Sequence, residues 1–149
     1  MQIINLPAST SLATTDAFVK ETSAGTTQKI TAEKLKSSLN AIETLSGITP
    51  VTTYVDTTGT LETRAYRQGN IVAFHFTFQA AATSASNTAI FTGLPGAYGS
   101  AFQFTAFNVT SQKAITFAVT TGGALSYWYS NNGFVAGDQI RGSVTYICA

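Results

Sequence analysis

Between Ile71 and Phe78 every second side chain is apolar: Val72, Phe74, Phe76 and Phe78 alternate with Ala73, His75 and Thr77. A period of two marks a half-buried strand, because successive side chains point to opposite faces of a sheet. Phenylalanines repeated along one face need a deep apolar layer opposite them, so this strand cannot stand alone. Gly69-Asn70 just before it supplies the positive φ of a tight hairpin. The stretch Leu61–Arg67 is therefore expected to be its antiparallel neighbour.

The rest of the chain after Pro50 repeats the pattern. Strand-like runs occur at Thr88–Phe91, Ala101–Val109, Ala114–Val119, Ala124–Tyr129 and Asp138–Ile147. Turn chemistry separates them, at Gly93-Leu94-Pro95-Gly96, Thr120-Thr121-Gly122-Gly123 and Asn131-Asn132-Gly133. Ala80–Ala89 is small and polar and reads as a loop. Short strands at this spacing, with no second helix, imply an antiparallel sandwich, jelly roll or barrel.

Before Pro50 the composition differs. Asp16, Lys20, Glu21, Lys29, Glu33, Lys34, Lys36 and Glu43 all fall there. Met1–Gly25 is poor in apolar residues, and Pro7 holds its neighbourhood extended. Phe18–Glu21 and Gln28–Ile30 suit two short strands around Ser23-Ala24-Gly25. Thr31 is placed as a helix N-cap, with Glu33 where the helix dipole favours an anion. The expected helix runs from Ala32 to Leu45 and stops at Gly47. Its apolar stripe, Leu35, Leu39, Ile42 and Leu45, needs a partner, since so short a helix is marginal in water. Two partners fit: the chain's own β domain, or two further copies in a short bundle that makes a homotrimer. The resulting organisation is an N-terminal arm over 1–30, a helix over 31–47 and a β domain over 48–149.

The chemistry of the chain points to binding rather than turnover. Charged residues make up 10% and the formal net charge is +1, against about 25% charged residues in ordinary soluble domains. No basic patch can form to displace counterions from a nucleic acid. No stretch approaches the roughly 18–20 apolar residues of a membrane-spanning helix. The N-terminus lacks the basic and apolar regions of a signal peptide, so synthesis in a cytosol is expected. Cys148 has no second cysteine to pair with and reads as a small buried hydrophobe. His75, the single histidine, falls on the strand face opposite the phenylalanines. After Pro50 the only carboxylates are Asp56, Glu62 and Asp138, and no two share a motif. Neither a metal site, a cofactor fingerprint nor a catalytic set is expected.

Tyr127-Trp128-Tyr129 followed by Asn131-Asn132 has two readings. In one, Trp128 packs inward and the tyrosines are partly exposed for structural reasons alone. In the other, Tyr127, Tyr129, Asn131 and Asn132 form a saccharide platform, with rings stacking on sugar faces and amides bonding hydroxyls.

Two stretches resemble bacteriophage fibre proteins. Ile4-Asn5-Leu6-Pro7-Ala8-Ser9-Thr10-Ser11-Leu12, Thr15-Asp16-Ala17-Phe18 and Gly25-Thr26-Thr27-Gln28-Lys29-Ile30-Thr31 with Leu35 resemble the linker of many phage structural proteins. Tyr66-Arg67-Gln68-Gly69-Asn70-Ile71-Val72, Leu94-Pro95, Gly122-Gly123-Ala124-Leu125 and Gly137–Ile147 resemble the tip domains of tail, baseplate and head fibres. The resemblance implies a homotrimer on the virion surface, attached to other virion proteins by its N-terminal arm. It also implies a β tip turned outward toward a host-surface glycan. A capsid or tail decoration protein with no receptor is the alternative it leaves open.

Overall fold

The computed structural model describes residues 17–21, 27–31, 41–128 and 133–149. The chain forms two compact units, Met1–Ala41 and Ile42–Ala149. In the first, β1 (Ala17–Glu21) and β2 (Thr27–Thr31) pair antiparallel, with Phe18 opposite Ile30 and Val19 opposite Lys29. This is the pair of short strands expected on either side of Ser23-Ala24-Gly25.

The second unit is one nine-stranded antiparallel sheet. Its strands are β3 (Glu43–Thr44), β4 (Thr49–Pro50), β5 (Val55–Gln68), β6 (Ile71–Ala80), β7 (Thr88–Thr92), β8 (Phe102–Asn108), β9 (Lys113–Val119), β10 (Leu125–Tyr127) and β11 (Gln139–Ile147). Across the sheet they run β3-β5-β6-β11-β8-β9-β10-β7-β4. The two edge strands, β3 and β4, are consecutive in the chain. The sheet therefore curls until the short link 45–48 spans its two ends, and Leu45 and Ile48 on that link pack against the core. Sheet edges expose unpaired backbone groups, and keeping both edge strands this short limits them.

The alternating strand does what its pattern requires. Val72, Phe74 and Phe78 are fully buried, Phe76 nearly so, and His75 is exposed. The Phe76 ring meets those of Phe74, Phe78, Phe91, Phe104 and Phe117 at centroid distances of 5.5–6.2 Å. Most of these contacts are tilted or edge-to-face, the arrangement that aromatic quadrupoles favour. Gly69, with φ +57, makes the expected turn between β5 and β6. Cys148 is a free, fully buried thiol at the end of β11, as read from the sequence.

β5 is longer than the sequence suggested. It begins at Val55, and its register against β6 shifts between Asp56 and Leu61. The Asp56 carboxylate accepts hydrogen bonds from the Thr58 amide and hydroxyl at 2.8 and 2.7 Å. Those bonds favour its ionised form and hold its pKa below the usual carboxylate value.

The expected helix over 32–45 does not extend to its predicted end. Glu43 and Thr44 pair with Arg67 and Tyr66 as an edge strand. The Leu45 amide donates to the Ala65 carbonyl at 2.9 Å. An amide committed across a sheet cannot also donate to the carbonyl four residues back, so the helix is excluded here. Leu45 packs on its own core, while Ile42 is 68% exposed. The stripe Leu35, Leu39, Ile42 and Leu45 is thus not one helix face. Leu35 and Leu39 lie outside the described residues.

Candidate functional site

The polar half of the alternating pattern assembles an open groove of about 780 Å³ on the outer face of the sheet. Strand register dictates its layout. Glu62 on β5 lies opposite Thr77 on β6, Thr77 opposite Arg141 on β11, Arg141 opposite Phe107 on β8, and Phe107 opposite Ala114 on β9. The adjacent row runs Arg64, His75, Ser143. Because the side-chain period of a strand is two, these residues share one face. Every one of them except the half-buried Thr77 is exposed, and Tyr66 and Thr105 complete the walls.

The floor is apolar. It is made by Phe76, Ala106 and Gly142, where the ladder between β11 and β8 is limited to two residue pairs, Ile140 with Asn108 and Arg141 with Phe107. A side chain at position 142 would run into the Phe76 ring. Glycine here lets the β11 backbone lie directly on the aromatic core.

Two interactions set the electrostatics. Arg64 Nη2 donates to Glu62 Oε1 at 2.8 Å, with both side chains well exposed. Such a pair contributes about 0–1 kcal/mol to stability, but it neutralises Arg64 and fixes its direction. Arg141 has no ion-pair or hydrogen-bond partner for its guanidinium among the described residues. The groove therefore carries one uncompensated positive charge, beside the 47% exposed ring of Phe107.

Near the Phe107–Arg141 pair, a buried polar staple ties Asn108, the next residue on β8, to Asp138, just before β11. Asn108 is fully buried, and its Nδ2 donates to Asp138 Oδ2 at 2.7 Å. The same oxygen accepts from the Val135 amide at 3.0 Å. Asn108 Oδ1 accepts from the Thr110 and Ser111 amides, each at 3.1 Å, and so closes the turn between β8 and β9. Asp138, one of the three carboxylates after Pro50, is thereby structural. Asp56 serves the β5 irregularity, and only Glu62 reaches the groove.

The platform expected at Tyr127, Tyr129, Asn131 and Asn132 is placed differently. Tyr127 is 4% exposed. Its ring packs edge-on against Phe117 and Phe134 at 6.1 and 5.5 Å. The reading that turned Tyr127 outward and Trp128 inward is reversed: Leu125 is fully buried, and alternation carries Tyr127 to the same side. Trp128, the next residue, is only half-buried. Tyr129, Asn131 and Asn132 lie outside the described residues.

The groove was not read from the sequence. Its residues come from five strands, and no local spacing connects them. The available signal was the polar alternate positions of β5, β6 and β11, with the unalternated Phe107 beside them. No family profile matches the chain, and no curated protein matches it.

Proposed function

We propose that this chain is an adhesive bacteriophage fibre protein, held on the virion through its N-terminal segment and presenting the β unit as the tip of a trimer. The resemblance of the linker and tip motifs supports the fibre reading. The groove is the observation that supports adhesion: exposed rings of Tyr66 and Phe107 alongside Arg64, Arg141, His75, Thr77 and Ser143. Rings cover the apolar faces of sugars, and the polar side chains bond hydroxyls. The one carboxylate in the groove is engaged by Arg64, so a pair of free carboxylates for glycosidic cleavage is not assembled among the described residues. Binding without turnover, to a saccharide of the host surface, is the reading this supports.

The test is adsorption. The purified protein should coat susceptible cells and compete with whole phage for attachment. A Phe107→Ala, Arg141→Ala double variant that melts like wild type should lose both abilities. Sedimentation should give three copies per particle. If the protein labels virions but not cells, the decoration reading replaces this one.

A further inference from the structure

We infer that the groove selects sugars carrying an acid group, carboxylate or phosphate, with Arg141 as the anion contact and Phe107 as the stacking ring. This rests on the reading of the groove as the adhesive surface and adds the chemical class of its ligand. Arg141 and Phe107 are direct cross-strand partners, so their side chains start about 5 Å apart. In a sugar acid the charged group is attached to the ring or one bond away from it. Its recognition therefore calls for a cation and a flat apolar surface as immediate neighbours, which this pair provides. A guanidinium offers a planar fork of N–H donors matched to carboxylate and phosphate oxygens.

The other charges in the groove decide the ligand's orientation. Arg64 is already paired with Glu62. The Glu62–Arg64 pair leaves no net charge at the β5 wall, so the acid group is directed to the Arg141 end. Thr77, opposite Arg141, and Ser143, in the adjacent row, are placed to bond hydroxyls around it. Neutral sugars can stack on Phe107 but gain nothing from Arg141. A charge-assisted hydrogen bond therefore separates acid from neutral ligands by about tenfold to a hundredfold. Because the site is open, raising the salt from 0.05 M to 0.5 M should reduce that difference.

Calorimetric titration of the full chain tests this with trigalacturonate and its methyl ester, and with a phosphorylated trisaccharide and its unphosphorylated parent. The acids should bind at least about tenfold tighter than their neutral counterparts. Arg141→Gln should abolish the difference without changing the melting temperature, Arg141→Lys should retain part of it, and Phe107→Ala should weaken acid and ester alike. Equal binding of acid and neutral forms, discrimination that survives Arg141→Gln, or no binding of either acid would overturn the inference. The adhesive reading survives each of those outcomes if the protein still coats cells, and fails with it if the protein does not.

Discussion

Removing the Asn108 amide tests whether the buried staple holds the groove wall in place. Asn108→Ala deletes two hydrogen bonds to backbone amides and one to an ionised carboxylate. The amide bonds are part-buried, and water recovers some of their loss, so they account for about 1–2 kcal/mol together. The 2.7 Å bond to Asp138 adds about 1.5–3 kcal/mol, since a buried acceptor loses its donor. The expected loss is about 2.5–5 kcal/mol, a large part of the roughly 5–15 kcal/mol that holds a domain folded. Urea unfolding, followed by far-ultraviolet circular dichroism, would measure it. Asn108→Asp is the sharper perturbation. It keeps the acceptor for the Thr110 and Ser111 amides but sets a second carboxyl against Asp138. Two carboxylates at that distance cannot both ionise cheaply, so one folded-state pKa rises above its unfolded value near 4. Below that value one carboxyl keeps its proton and replaces the lost donor. As pH rises through the elevated pKa that contribution disappears. The deficit against wild type should therefore be small at pH 4 and grow to several kcal/mol by pH 8. A flat difference across that range, or a loss below about 1 kcal/mol for Asn108→Ala, would refute the staple.

Other expectations follow from the same core. Phe76→Ala removes a ring in contact with five others and should cost about 3–5 kcal/mol in denaturant titration; a loss under 1 kcal/mol would contradict its place. Tyr127→Ala should behave as a core lesion of about 3 kcal/mol, lowering the melting temperature; reduced cell binding by a variant that melts normally would instead return Tyr127 to the surface. Tyr146 donates to the Pro95 carbonyl at 2.7 Å, and burial, with a smaller push from Cys148, raises its pKa above the usual 10.0. Its neutral form is favoured by folding, so this stabilisation is complete below pH 10 and is lost as pH climbs above it. Tyr146→Phe should lose about 1 kcal/mol at neutral pH and show a flatter decline in stability above pH 10 than wild type.

Local pattern determined much of the β architecture. The run from Val72 to Phe78 specified a strand, its buried face and an exposed His75, because the period of two depends only on backbone geometry. The turn at Gly69 and the antiparallel pairing of β5 with β6 followed from glycine's access to positive φ. Two things were decided by tertiary structure. Glu43–Leu45 carries a helix-like stripe with Leu39 and Ile42, but the open edge of β5 offers it backbone partners, and long-range pairing overrides weak helix propensity. Tyr127 and Trp128 are both large and aromatic, so composition could not say which turns inward; the burial of Leu125 did. The groove is the extreme case. Glu62, Arg141 and Phe107 are far apart in the chain, and register alone aligns them in one row. Register comes from the packing of the aromatic layer beneath the groove, where Phe76, Ala106 and Gly142 must fit together. The residues facing solvent are thus positioned by the core beneath them.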